Sequence, residues 1–209
     1  MKKLFTSDKF FLAMTLCGSV GLVAYLVVAG CLLGFGYVMT RLPLFIEALC
    51  VVFLYSSYKK HSKNVMKGLM GALLMTMLLA AINCFSALYS PAEYVFASIY
   101  LGVTAILFVS HYIINSDHHS KPGYIKLNQA LCIVYALNIL AWDSVGLFTS
   151  GNLLMIIGCL INIVSCVGVM ASVVCVESRL DAYRLEREAA GWTEEKGYPE
   201  NYVHEYKKK

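Results

Sequence analysis

The chain has 209 residues, of which 59% are hydrophobic and only 14% charged, with a mean hydropathy of +0.66. One soluble core cannot bury that much apolar surface, so the sequence is fitted to lipid, and an ordinary water-soluble enzyme is excluded. The formal net charge of +4 comes from lysines and arginines beside the apolar segments, which is a membrane-orientation signal rather than a nucleic-acid footprint.

A helix needs about 20 residues to cross roughly 30 Å of hydrocarbon. Six charge-poor stretches satisfy that length, near residues 10–33, 38–57, 67–89, 94–114, 127–148 and 153–176. The expected fold is all-α: a polytopic bundle of six transmembrane helices forming one domain over 1–176, then a cytoplasmic helix and tail over 177–209. Sixteen of the 17 basic residues fall on one side of this arrangement, before the first span, after the second and fourth, and in the tail. Because Lys and Arg near span ends are retained inside, both termini are expected in the cytoplasm. Arg41 is the exception.

Lys2 and Lys3 ahead of the first span also suit a secretory signal, but the apolar run exceeds the roughly 7 to 15 residues of such a segment, so it is read as a span. Gly34 and Gly36 punctuate the turn that follows it. In the second span Glu47 lies about ten residues from Tyr58, or about 15 Å from the inner end, near mid-bilayer. A carboxyl at that depth is neutral, paired or in contact with water, and in membrane proteins such a residue is a functional candidate. Arg41 is expected at the outer interface, against Asp143, with Pro43 bending the start of this span.

The loop after the second span, YSSYKKHSKNVMKG, resembles the one after the fourth, HYIINSDHHSKPGYIK, each with His-Ser-Lys and a later Lys. One reading is a parallel repeat that matches spans two and three to spans four and five; the other is convergence of positive-inside loops. His61, His111, His118 and His119, with Asp117, cluster at these cytoplasmic ends as weak metal candidates. No spacing resembles a known ligand pattern, the spans lack the paired histidines of a haem bundle, and no cofactor is expected. The eight cysteines all lie within spans without a CxxC pair and read as packing residues.

The same depth arithmetic puts Ser19, Thr76, Thr104, Asn138 and Asn162 at one level. On the fifth span Asn128, Cys132, Tyr135, Asn138 and Trp142 share a face, and on the sixth Gly158, Asn162, Ser165, Gly168 and Ser172 form a row of small residues suited to close helix contact. The functional reading gathers Glu47, Asn138, Asn162, Thr104, Thr76 and Tyr135 into a substrate- or ion-binding site, with Glu47 exchanging a proton or holding a cation. The bland reading makes the asparagines interhelical glue. Beyond the sixth span the helix VESRLDAYRLEREAAG is expected to stop at Gly191, ahead of an aromatic- and lysine-rich tail.

The function expected from these features is a small transporter or transporter subunit, proton- or cation-coupled, in a bacterial cytoplasmic membrane. Its expected partners are the lipid bilayer, a small-molecule or ionic substrate, and a protein partner or second copy of the chain; nucleic acid is not among them. The alternative is a non-catalytic assembly protein acting through the cytoplasmic C-terminal helix. A lipid-directed enzyme using the histidine face is a third reading.

Overall fold

In a computed structural model, residues 2–60, 64–88, 90–117, 122–149 and 151–189 are described. They form the helices α1 (Lys2–Phe5), α2 (Asp8–Leu33), α3 (Phe35–Thr40), α4 (Leu42–Lys59), α5 (Val65–Ser86), α6 (Pro91–Asp117), α7 (Pro122–Thr149) and α8 (Leu153–Ala189). Among the described residues there is no strand, and α2 and α4 to α8 are each long and apolar enough to cross a membrane. The expected all-helical architecture, with six helices of membrane-spanning length and apolarity, is therefore present among the described residues.

Local chemistry sets the helix starts and stops. Gly34 ends α2 at φ 83°, a left-handed backbone that residues with a Cβ avoid. The chain then makes the short α3 before α4, so the second span starts at Leu42 rather than near residue 38. Pro43 lies in the first turn of α4, where its missing N–H costs nothing, and it initiates the helix rather than bending it. Pro91 and Pro122 open α6 and α7 in the same way.

Packing closes the six long helices into a ring in chain order. The most extensive contacts are α2 with α8, α4 with α5, α7 with α8, α5 with α6, α2 with α4 and α6 with α7. The α2–α8 seam that closes the ring is built from small residues. A Cβ on Gly168 would lie 2.5 Å from the Gly18 backbone nitrogen and 2.9 Å from the Met14 carbonyl oxygen, so the two backbones meet without side chains between them. The small-residue row on the sixth span thus faces α2, and Gly158 lies against Val28.

Leu16, Val20, Val27, Leu49, Ile106, Ile133, Leu137, Leu160 and Val164 stand exposed on the outside of the ring, while Glu47, Thr76, Thr104, Asn128, Ser165 and Ser172 are buried inside it. Polar residues inward and large apolar residues outward is the arrangement lipid favours. At one end Asp8 of α2 pairs with Lys59 of α4 at 2.7 Å and with Arg179 of α8 at 2.8 Å. The Arg179 guanidinium also stacks over Tyr58 at 4.3 Å and Phe11 at 5.1 Å. This clasp marks the Lys59 end of the ring; Arg41 marks the other. Past Arg179, α8 continues unbroken to Ala189, as expected of a helix running straight out of the sixth span. The expected stop at Gly191, the tail after it, His61, His118 and His119 lie outside the described residues.

Candidate functional site

At the Arg41 end the ring encloses a cavity of about 170 Å³ to which every long helix contributes. Arg41 caps the junction of α3 and α4, where Leu44 of α4 also faces the cavity, and α5 supplies Asn83 one turn from its end. Arg41 Nη1 donates to Asn83 Oδ1, and the guanidinium lies 5.0 Å from the centre of the Tyr37 ring. Its Nε is buried without a hydrogen-bond partner. Tyr25 of α2 and Tyr37 of α3 meet through their hydroxyls at 3.3 Å.

Across the cavity, Asn162 Nδ2 of α8 donates to Asp143 Oδ2 of α7 at 2.8 Å, and Cys166 Sγ approaches Asn162 Oδ1 at 3.7 Å. Leu44, Leu79, Ile139, Trp142 and Tyr100 complete the wall. A second chamber of about 570 Å³ shares Tyr25, Tyr37, Trp142 and Asp143 with the first, and also reaches Glu93 at the start of α6 and Thr149 and Asn152 between α7 and α8. The two form a stepped recess that narrows into the ring.

Hydrogen-bonded pairs lie one turn deeper. Leu44 and Leu79 line the cavity, and one turn below them on the same helices Thr76 Oγ1 donates to Glu47 Oε1 at 2.7 Å. Glu47 is 2% exposed and Thr76 fully buried. Beside them Tyr135 donates its hydroxyl proton to Tyr100 at 3.1 Å, with ring centroids 5.0 Å apart. Below this layer Val51, Leu54, Leu69, Leu73, Leu107, Val169 and Val173 form a closed apolar core toward the Lys59 end.

The six residues expected to make one site divide into separate groups. Glu47 and Thr76 pair, as depth suggested: Glu47 is nearer the Arg41 end of α4, but its partner stands midway along α5. Asn162 lines the cavity, whereas Tyr135 lies behind it and bonds to the lining residue Tyr100. Asn138 donates to the Phe96 carbonyl of α6 at 3.1 Å, the glue role. Thr104 and Ser19 turn back onto carbonyls of their own helices. Arg41 faces the same cavity as Asp143, as expected, but bonds to Asn83 instead.

His111 departs from the loop-histidine picture. It is 1% exposed, and its Nε2 lies 2.7 Å from Glu177 Oε1, with Asn128 Nδ2 at 3.5 Å. Its Nδ1 lies 2.8 Å from the Leu107 carbonyl oxygen, which can only accept, so Nδ1 carries a proton. Among the described residues no three His, Cys, Asp or Glu side chains come together to hold a metal ion.

Sequence reasoning missed Tyr25, Tyr37, Asn83 and Tyr100 as cavity residues. Asn83 carries the clearest signal, since it stands about one turn from the Arg41 end of its span and therefore level with Arg41. A carboxylate, a guanidinium, two amides and three phenols around one recess form a recognition surface for a polar solute. Comparison with known proteins gives no match to a family model, a curated protein or a solved structure.

Proposed function

We propose that the chain is a small membrane transporter, or the membrane subunit of one, that takes a polar solute into the ring from the Arg41 end. The observation that carries this reading is the recess itself, lined by every long helix and bearing Arg41, Asn83, Asp143 and Asn162 among aliphatic and aromatic residues and Cys166. Charged groups inside a membrane ring are costly, and they persist where they meet water, one another or a ligand. The bias of basic residues toward the Lys59 end supports a reading in which that end is cytoplasmic and the recess opens outward, and the membrane proposed is a bacterial inner membrane.

The Glu47–Thr76 and Tyr100–Tyr135 pairs then form the floor that must part for a solute to pass, and Glu47 is the group that couples passage to a proton. The test is uptake: the full chain in liposomes, incubated with a cellular metabolite extract, enriches a specific polar solute inside relative to empty liposomes, and Asp143→Asn removes the enrichment. Equal contents in loaded and empty liposomes would overturn the reading.

A second reading rests on α8, which runs 37 residues and projects beyond the apolar segment that ends at Arg179. As an assembly protein, the chain would present this projecting helix to a partner.

A further inference from the structure

We infer that the solute is a small zwitterion, held with its anionic group on Arg41 and its cationic group on Asp143; this rests on the transporter reading above. Arg41 and Asp143 carry opposite charges and line the same cavity, yet no ion pair joins them. Each is instead anchored by a neutral amide from a neighbouring helix, Asn83 for Arg41 and Asn162 for Asp143. An amide fixes the direction of a charged group without neutralising it, so each charge stays available to a third group.

Arg41 lines the cavity and one of its Nη groups donates to Asn83, and a carboxylate is the acceptor that guanidinium geometry fits best. Asp143 has used one donor, from Asn162, while an ionised carboxylate accepts about four hydrogen bonds, which leaves capacity for an ammonium.

Size and surroundings narrow the class further. A volume of about 170 Å³ is well under the roughly 300 Å³ at which pockets begin to take drug-sized ligands. The remaining walls carry no further charge and are mainly aliphatic and aromatic, with Leu44, Leu79, Ile139 and Trp142 beside three tyrosines and Cys166. They suit a short hydrocarbon spacer between two charged ends, as in an amino acid, and offer nothing to a second charge of the same sign. A lone cation would leave Arg41 uncompensated, and a lone anion would do the same to Asp143. A zwitterion satisfies both and carries no net charge through the apolar core below.

The inference is tested by equilibrium binding to the purified full chain with five probes: alanine, β-alanine and γ-aminobutyrate, which hold the two charges at increasing separation, and propylamine and propionate, which carry one each. At least one zwitterion should bind about tenfold or more tighter than both single-charge probes, a difference of about 1.4 kcal/mol. Arg41→Gln and Asp143→Asn should each remove that advantage. The ranking on the unaltered chain decides the matter even if a variant fails to fold. Binding of propylamine or propionate as tightly as every zwitterion, or no binding of any probe, overturns the inference. The transporter reading is judged separately by the extract uptake: an enriched solute of a single charge sign would sink the zwitterion and leave transport standing.

Discussion

His111 on α6 and Glu177 on α8 meet at 2.7 Å inside the ring, both at most 2% exposed. Sequence position placed Glu177 at the start of a cytoplasmic segment and His111 in a loop cluster, yet the two side chains meet between helices. Removing one partner leaves the other buried and unpaired, at a cost of about 3 to 5 kcal/mol, whereas replacing both with apolar groups of similar volume is close to neutral. In detergent, His111→Leu and Glu177→Met singly should each lower the melting temperature more than the double substitution does. Additive losses would show that the contact contributes nothing.

The α2–α8 seam yields a packing prediction. A Cβ at residue 168 meets backbone on two sides, at Gly18 and Met14, and backbone cannot rotate away as a side chain can. Gly168→Val should destabilise the chain by about 1 to 3 kcal/mol through overpacking. Gly102, around which a new Cβ meets nothing within 4 Å, is the control and should tolerate Ala. Thermal unfolding of the two variants side by side checks this.

Glu47 and Thr76 separate a structural role from a coupling role. In Glu47→Gln the amide oxygen still accepts from Thr76, so the fold should hold, while a pH dependence of uptake between about pH 5 and 8 should disappear. Thr76→Val removes the donor and leaves the carboxyl buried without it, costing about 1 to 3 kcal/mol. Uptake by Glu47→Gln that still varies with pH as in the unaltered chain would remove proton coupling from the account.

Deleting residues 180–209, which removes the part of α8 that projects beyond Arg179, distinguishes transport from assembly. As a transporter, the truncated chain should take up solute at an unchanged rate. Loss of a co-purifying partner with uptake intact would favour the assembly reading of α8.

Much of the fold was legible because lipid imposes a simple rule: an apolar stretch of sufficient length makes a helix long enough to span, and six such helices are found. Depth along a span was legible too, and it brought Glu47 and Thr76 together. Facing was not. Thr104 and Ser19 stand at suitable depths but bond to their own helices, since a hydroxyl can always reach the carbonyl one turn back. Arg41, Asn83, Asp143 and Asn162 come from four helices whose shared recess depends on the ring order, and one chain without its contacts does not reveal which helices are neighbours. The start of the second span also shifts by several residues, because Phe35–Thr40 forms the separate short helix α3 before α4 begins at Leu42.

The central claim is that a water-filled recess enters the ring from the Arg41 end, on the outside of the membrane. Its most direct test is thiol labelling of Ile139→Cys, a cavity-lining position, in a chain whose eight native cysteines are replaced by serine or alanine, using a small membrane-impermeant cationic thiosulfonate. The account predicts rapid modification when the reagent is added outside intact cells or spheroplasts. Protection from the outside, with modification only when the reagent is given access to the cytoplasmic face, would contradict it.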